Sequence, residues 1–368
     1  MIPVNEPLLN GNEKKYLNEC IDTGWISSEG PFVKRFEEEM GFKTQKKHSV
    51  AVCNGTAALE IAIEALGIGK GDEVIMPTFT IISCASAIIK SGATPILVDS
   101  DLQTWNMDVN QIEAKITSKT KAIMVVHIYG LTVDMDSILN LAKKYNLKII
   151  EDAAEAHGQT YNGKPCGSFG DVSIFSFYPN KLITTGEGGM ILTDDDAIAE
   201  KLRSLRNLCF TAHKRFVHED LGWNMRMTNL QAAIGVAQIE RWDESILRKR
   251  EIGKLYTELL KDIKGINLPL NQTNYCTNMY WVYGILLTNE TKNAEQIMKL
   301  LAEKGIGTRP FFYPMHLQPV LKRMGLFENE SYPNAEKMYE QGFYLPSGLA
   351  ITNQQIHDVV KLLKEILN

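Results

Sequence analysis

A single lysine near the middle of the chain lies in a setting that suits covalent chemistry. Lys181 falls on the turn between two apolar runs, 172–177 and 189–192, whose β-branched and aromatic composition is typical of buried strands. Burial disfavours the charged form of an amine, and a neutral amine can condense with a carbonyl to form an imine. A lysine between two strands is more often a solvated loop residue, so the interpretation depends on its neighbours.

Glycines and hydroxyl-bearing residues flank this lysine. Gly186, Gly188 and Gly189 allow the backbone to pass close to a bulky group. Ser176 and Thr185 offer hydroxyls that can hold an anion. The stretch therefore predicts a site for a bulky ligand with an anionic group.

A second anion site is predicted where a strand runs into a helix. A short apolar run ends at Asn54, and a helical pattern follows it. The N–H groups of residues 55–58 would point outward at the start of this helix, where the helix dipole favours an anion. The alternative is an ordinary helix in which Thr56 serves only as the N-cap.

Strand and helix patterns alternate from His48 onward. Strands are predicted at 73–77, 94–99, 121–130 and 147–158, with helices at 80–91 and 134–145. This alternation predicts a mostly parallel sheet between helices, which binds ligands beyond the carboxyl ends of its strands.

An acid is predicted at that edge of the sheet. Asp152 follows the buried run 147–150, and His127 and Tyr129 end the neighbouring strand in the same way. The carboxylate of Asp152 is expected to face a bound ligand, and the alternative is a structural helix cap.

Two domains are expected from the patterning. Residues 1–247 would form a lead-in followed by a large α/β domain, and residues 248–368 a smaller α+β domain. The second part carries an apolar run at 278–288 and helical patterns at 293–304 and 353–366. No low-complexity linker separates the two parts.

The overall composition excludes several classes of function. A net charge of −5 and a pI of about 5.9 leave no basic footprint for nucleic acid or an anionic membrane surface. No apolar run approaches the roughly 20 residues of a membrane span, and no leader is visible, so a cytoplasmic protein is expected. The six cysteines have neither disulfide-framework nor metal-ligand spacing, so no metal is expected.

Four features together point to one cofactor. They are an imine-forming lysine, a carboxylate at a strand end, an anion cradle at a helix start, and hydroxyls close to the lysine. Pyridoxal phosphate needs a lysine for its aldehyde, an acid to keep its ring nitrogen protonated, and donors for its phosphate. The sequence therefore predicts a pyridoxal-phosphate site.

The chain resembles the DegT/DnrJ/EryC1/StrS family of sugar aminotransferases over almost its whole length. The motifs that carry the resemblance are NGTAAL (54–59), PTFT (77–80), EDAAEAHG (151–158), FSFYPNK (175–181), TTGEGGM (184–190), NMRMTNLQAAIG (224–235) and RPFFYP (309–314). The resemblance implies the aspartate-aminotransferase fold type I, a homodimer with active sites shared at the subunit interface, and L-glutamate as the amino donor.

The resemblance also implies roles for individual residues. Lys181 matches the Schiff-base lysine, Asp152 the partner of the pyridinium nitrogen, and Glu155 a position beside the ring hydroxyl. The positions matched to the cofactor phosphate are Gly55, Thr56, Ser176 and, from the second subunit, Asn224. Trp25, Tyr313 and His316 lie in stretches that border the substrate in similar enzymes.

Two positions depart from the family pattern. Ile81 stands where an aromatic residue commonly covers one face of the cofactor ring, and it offers dispersion contact without ring stacking, a loss of about 0.5–1.5 kcal/mol. Ser86 stands where close relatives usually carry asparagine. Both changes affect the expected substrate pocket rather than the cofactor.

The expected reaction is amino transfer to a sugar. A family branch with histidine in place of the lysine catalyses dehydration, whereas Lys181 favours transamination. The resemblance implies a nucleotide-linked 4-keto-6-deoxy sugar as acceptor, with GDP-4-keto-6-deoxymannose the expected one. The alternatives are a small phosphorylated ketone, a different nucleotide sugar, or a regulatory protein that binds the cofactor without turnover.

Overall fold

The computed structural model describes residues 1–211, 214, 216–288 and 292–367. Its helices are α1 (Glu13–Thr23), α2 (Pro31–Thr44), α3 (Gly55–Ala65), α4 (Ile82–Lys90), α5 (Met135–Tyr145), α6 (Asp196–Leu205), α7 (Asn229–Ile239), α8 (Trp242–Leu260), α9 (Ala294–Glu303), α10 (Pro319–Arg323), α11 (Pro333–Gln341) and α12 (Asn353–Leu367). Its strands are β1 (His48–Val52), β2 (Glu73–Pro77), β3 (Thr94–Val98), β4 (Thr120–Val126), β5 (Lys148–Asp152), β6 (Thr160–Tyr161), β7 (Lys164–Pro165), β8 (Val172–Ser176), β9 (Gly189–Thr193), β10 (Ile266–Asn267), β11 (Tyr283–Leu287), β12 (Arg309–Pro310) and β13 (Gly342–Leu345).

The larger sheet contains seven strands in the order β1-β9-β8-β5-β4-β2-β3. The neighbours from β3 to β8 pair in parallel, and β9 pairs antiparallel with both β8 and β1. This topology confirms the predicted mostly parallel α/β sheet. The hairpin-like return from β8 to β9 places the loop 177–188, which carries Lys181, at the carboxyl end of β8.

Alternate side chains of the central strands enter two different cores. In β4, Met124 and Val126 pack into the main core, while Ile123 and Val125 pack into a second core on the other face. Both faces are buried because helices cover them, which explains why these strands are apolar throughout.

The predicted strand at 121–130 is shorter in the structure. It ends at Val126, and residues 128–130 form a 3₁₀ turn in which Tyr129 has a positive φ of 56°. Apolar residues continue into this turn because the turn itself is buried, so composition alone did not mark the strand end. The turn carries backbone groups that contact the candidate site.

A smaller antiparallel sheet follows in the order β10-β11-β13-β12. Residues of α8, α9 and α12 pack on it in a separate core. Within the apolar run at 278–288, only Tyr283–Leu287 form a strand, β11. The domain boundary after residue 247 stays a prediction, since α8 runs through that position.

The last third of the chain also joins the main core. Phe311, Met315 and Tyr332 pack into it, and the Met315 N–H donates to the carbonyl of Thr78 at 2.8 Å. Within the described ranges, no helix combines the length and the apolar character needed to cross a membrane.

Candidate active site

Lys181 lies in a nearly enclosed position at the carboxyl edge of the large sheet. Its side chain is only 11% exposed, and its Nζ lies 3.7 Å from Oε1 of Glu155. The indole ring of Trp281 covers the same amine, with its centroid 4.0 Å from Nζ. Burial lowers the pKa of Lys181, and the carboxylates of Glu155 and Asp152 oppose this shift. The setting thus favours the neutral amine that covalent chemistry needs.

Asp152 ends β5 and is buried. Its Oδ1 accepts a hydrogen bond from the N–H of Ala154 at 3.0 Å, and its Oδ2 accepts the thiol hydrogen of Cys84, with Sγ at 3.4 Å. Burial raises the pKa of Asp152, while the Ala154 N–H and the charge of Lys181 act in the opposite direction. An anion at this position is therefore stabilised by any cation that faces it.

Glu155 is the second buried acid of the site. Its Oε2 accepts a hydrogen bond from the N–H of Tyr129 at 2.9 Å, within the 3₁₀ turn after β4. Burial raises the pKa of Glu155 to about 7, although the neighbouring Lys181 lowers it. Glu155 can therefore hold or release a proton near neutral pH, beside the amine of Lys181.

The start of α3 faces the same space. Asn54, rather than Thr56, is the N-cap, because its side chain accepts the Ala57 N–H at 2.8 Å. The Ala58 N–H also bonds back to the carbonyl of Asn54. The expected cradle of four N–H groups at 55–58 is thus reduced to those of Gly55 and Thr56, which lie in the first turn and have no intrahelical acceptor.

Hydroxyls complete this cradle. Thr56 Oγ1 and Ser83 Oγ lie 2.9 Å apart, and Ser176 stands at the end of β8 beside Gly55. A Cβ added at Gly55 would lie 2.8 Å from Cβ of Ser176, so only glycine allows this approach. The start of α3 and the end of β8 therefore lie in close contact at this edge of the cavity.

All these groups open into one cavity of about 670 Å³. This volume is within the range of cofactor and small-molecule sites. Seven of the residues named from the sequence line it: Gly55, Thr56, Ile81, Asp152, Glu155, Ser176 and Lys181. Ile81 is 45% exposed and occupies the N-cap position of α4, whereas Ser86 does not line the cavity.

The other predicted residues lie outside this cavity. Asn224 is exposed and accepts a hydrogen bond from Nε of Arg226 at 2.9 Å. Trp25 is 50% exposed, on the loop after α1, and Tyr313 packs edge-on against Tyr339. Asn224 and Trp25 therefore require a second chain if they are to take part in a site.

His316 is buried in a polar network. Its Nδ1 lies 3.0 Å from Oγ1 of Thr78, and its Nε2 lies 2.9 Å from Oε1 of Glu336. Both ring nitrogens are thus occupied within the fold. The structure does not bring this side chain to the cavity, so its substrate role stays a prediction without structural support.

Aromatic residues from the last third of the chain form a wall that the sequence did not indicate. Trp281, Phe312 and Tyr344 line the cavity, together with Tyr178 and Asn180 from the lysine loop. Trp281 lies in the apolar run at 278–288, where neither the spacing of the residues nor a motif distinguishes it from its neighbours. Its position depends on the packing of the smaller sheet against the 3₁₀ turn after β4.

A group of possible metal ligands lies elsewhere. His127, Glu151 and Cys166 offer atoms within 4.8 Å of one another. The Glu151 carboxylate already accepts hydrogen bonds from the N–H groups of Gly167, Phe169 and Gly170, the Ser173 hydroxyl and His127. This network satisfies both oxygens and fits a structural role.

The residues present fit pyridoxal phosphate on two structural observations. The buried carboxylate of Asp152 calls for a facing cation, which a protonated ring nitrogen provides. The glycine-lined approach of α3 to β8 leaves free N–H and hydroxyl donors for a phosphate. Lys181 lines the same cavity, so its amine can react with the carbonyl group of a bound cofactor.

Comparisons with known proteins identify the family to which the chain belongs. The family model of the DegT/DnrJ/EryC1/StrS aminotransferases matches residues 7–364. The chain is 44% identical to the GDP-perosamine synthase of Escherichia coli O157:H7, over 99% of this chain and 98% of that protein, and 42% identical to the GDP-perosamine synthase of Vibrio cholerae, over the full length of both. Among solved structures, the PLP form of Spr1654 from Streptococcus pneumoniae superposes with a TM-score of 0.92 at 27% identity, covering 100% of this chain and 98% of that one. The chain therefore belongs to the DegT/DnrJ/EryC1/StrS family and is a pyridoxal-phosphate-dependent aminotransferase.

Proposed function

We propose that the protein transfers the amino group of L-glutamate to the keto carbon of GDP-4-keto-6-deoxymannose, which yields GDP-perosamine for surface polysaccharide synthesis. The observation that carries the reaction type is the convergence of Lys181, Asp152 and Glu155 in one cavity with an anion cradle. The full-length similarity to two GDP-perosamine synthases supports the acceptor.

Pyridoxal phosphate, when bound, supplies an aldehyde for amine exchange and a ring that withdraws electrons from the reacting carbon. Lys181 would hold this cofactor and, once freed, move a proton at its Nζ between the donor or acceptor carbon and the cofactor side. Asp152 would keep the ring nitrogen protonated. Gly55, Thr56 and Ser176 would hold the phosphate with N–H and hydroxyl donors.

Glu155 has a proton-holding role in this scheme. Its carboxyl faces Nζ of Lys181 at 3.7 Å, and burial brings its pKa to about 7. A proton lost by the lysine can therefore be balanced locally, without a free charge in a buried site.

The proposed assembly is a homodimer in which Asn224 of each subunit completes the phosphate site of the other. Asn224 is exposed and lies outside the cavity of its own chain. Trp223, its neighbour in sequence, is 37% exposed, and Trp25 is 50% exposed. The carbonyl of Trp25 accepts a hydrogen bond from Nδ2 of Asn229, at the start of α7. The six free cysteines suit a reducing compartment, which supports the cytoplasm as the site of action.

The test is a two-stage titration of the cofactor-loaded protein. L-glutamate should bleach the absorbance band of the lysine-bound cofactor, and GDP-4-keto-6-deoxymannose should restore it. Restoration only by a small phosphorylated ketone, or by another nucleotide sugar, would keep the aminotransferase and replace the acceptor. A band that glutamate leaves unchanged would contradict glutamate as the donor.

A further inference from the structure

The amine of Lys181 is covered by an indole face from a distant part of the chain. The centroid of the Trp281 ring lies 4.0 Å from Nζ of Lys181. Trp281 lies just before β11, in the region of the smaller sheet, and its side chain lines the cavity. A ring face at this distance attracts an ammonium group through its quadrupole and does not attract a neutral amine in the same way.

Trp281 is held in place by hydrogen bonds to each of its polar groups. Its Nε1–H donates to the carbonyl of Asn180 at 2.9 Å, directly before the lysine in sequence. Its backbone N–H donates to the carbonyl of Tyr129 at 3.1 Å. Its carbonyl accepts a hydrogen bond from Nζ of Lys249 at 2.7 Å. The ring is only 3% exposed and thus has little freedom to leave the lysine.

Lys249 is itself an unusual support. It is buried, and its Nζ donates to two backbone carbonyls, those of Trp281 and Ser347, at 2.7 and 2.5 Å. Burial lowers the pKa of Lys249 to about 7. Burial of a lysine amine without a carboxylate partner costs free energy. The hydrogen bonds of Lys249 therefore fix the two carbonyls in position at that cost.

Other titratable groups also face the amine of Lys181. Glu155 lies 3.7 Å away on the loop after β5, and Asp152 ends that strand. Cys84 of α4 and His157 also interact electrostatically with the lysine. The two acids favour its charged form, and burial disfavours it. The uncharged indole ring also favours the ammonium form of Lys181, so it adds to the effect of the two acids without adding a charge to the site.

We propose that Trp281 is a positioning residue that stabilises the protonated form of the Lys181 amine, formed when the released amine takes up the proton of the reacting carbon, and holds it beside that carbon. The inference rests on the proposed role of Lys181 as the amine that leaves and returns. The indole would thereby set the proton affinity of the lysine when it carries the proton between the two carbons. No residue role drawn from the family resemblance covers this tryptophan.

The experiment measures the proton affinity of the freed lysine directly. The cofactor-loaded enzyme is treated with L-glutamate to free Lys181, pulsed with acetic anhydride at a series of pH values, and digested, and acetylation of the Lys181 peptide is quantified by mass spectrometry. Only the neutral amine reacts, so the pH midpoint of the rate reports the pKa of Lys181. We expect Trp281→Leu to move this midpoint down by about one pH unit.

Two further variants separate positioning from general packing. Trp281→Phe retains a ring face and should shift the midpoint by less than half as much as Trp281→Leu. Trp105 belongs to the same aromatic cluster, at 6.1 Å from the Tyr129 ring, but does not line the cavity, so Trp105→Leu should leave the midpoint unchanged. The stopped-flow rate of the glutamate half-reaction should fall in the same order as the midpoint.

The outcomes distinguish this inference from the function on which it rests. An unchanged or raised midpoint in Trp281→Leu, or an equal shift in Trp105→Leu, would overturn the role of Trp281. If Lys181 is acetylated equally before and after glutamate in the unmodified enzyme, the lysine is not the amine that is released, and the proposed function fails instead.

Discussion

Lys181 and Glu155 face each other at 3.7 Å, and both side chains are largely buried. Burial pushes their pKa values toward each other, lowering that of the lysine and raising that of the glutamate to about 7. Glu155 can therefore change its charge near neutral pH. The pair gives the fold a pH dependence with a definite sign.

Replacing Glu155 by glutamine should remove that dependence. The folded-state pKa of Glu155, about 7, lies above its ordinary value of 4.5, so its contribution to stability is present in full below pH 4.5 and is lost as the pH rises through 7. The free energy of unfolding of the cofactor-free wild type, relative to Glu155→Gln, should fall by about 3 kcal/mol across this window. Urea unfolding at several pH values measures it.

The control for this series is Glu38→Gln. Glu38 is an exposed residue of α2 whose ion pair with Lys34 is open to solvent. Its difference curve should be nearly flat, because exposed pairs contribute little. If the Glu155→Gln curve were equally flat, Glu155 would not be held in its protonated form by burial.

Replacing Asp152 by asparagine tests the charge at the end of β5. The amide can still accept the Ala154 N–H, so the local geometry should persist, but it carries no negative charge. We expect the turnover number to fall by about 100- to 1,000-fold, as for loss of a preorganised electrostatic contact. Cofactor absorbance against pH, recorded alongside the rate, should show a lowered proton affinity of the ring nitrogen. If neither the rate nor the spectrum changed, Asp152 would not be the partner of the ring nitrogen.

An alanine at Gly55 should disturb the anion cradle. Its Cβ would lie 2.8 Å from Cβ of Ser176, and neither α3 nor β8 can yield cheaply. We expect the free energy of unfolding to fall by about 1–3 kcal/mol. The dissociation constant for pyridoxal phosphate, measured by fluorescence titration, should increase. Gly11→Ala is a matched control, because its new Cβ would meet the flexible Cδ of Arg241 outside the cavity. Equal cofactor affinity in both variants would argue against a phosphate at α3.

Subunit mixing tests whether Asn224 serves the partner. Lys181→Ala should abolish amino transfer, and Asn224→Ala should weaken cofactor binding in the opposite subunit's site. If sites are shared, unfolding and refolding an equal mixture of the two variants should produce mixed dimers with one intact site, and roughly a quarter of the wild-type sites should be restored. A mixture no more active than its separate components would place Asn224 in its own chain's site or in none.

Much of the large sheet could be predicted because its strands are buried on both faces. The strands predicted at 73–77, 94–99 and 147–158 each contain a run of apolar residues, and they appear as β2, β3 and β5. The last of them ends earlier than predicted, at Asp152. Asp152 could be placed for the same reason, since it follows such a run at the carboxyl end. Lys181 followed from its position between two strands that pair with each other.

The anion cradle was predicted only in part. An N-cap is chosen by which side chain reaches back to the helix, and both Asn54 and Thr56 have suitable chemistry. The alternative without a ligand assigned the cap to Thr56, whereas the structure assigns it to Asn54. This difference decides which N–H groups remain free for a ligand.

The aromatic wall could not be predicted because it depends on long-range packing. Trp281 reaches Lys181 only after the smaller sheet has docked on the turn at Tyr129, a contact between residues far apart in sequence. His316 illustrates the converse. The family resemblance placed it in a stretch that borders the substrate, but its ring nitrogens lie within hydrogen-bonding distance of Thr78 and Glu336.

The contribution of Trp281, Phe312 and Tyr344 to the cavity has a consequence for the protein as it is synthesised. The seven strands of the large sheet are complete at Thr193, well before these three aromatic residues emerge from the ribosome. A nascent chain can thus assemble its lysine, its strand-end acid and its anion cradle while the wall over them is still missing. Tight retention of the cofactor should therefore begin only after the last third of the chain has been translated. Until then, the reactive amine of Lys181 does not lie in a complete cavity.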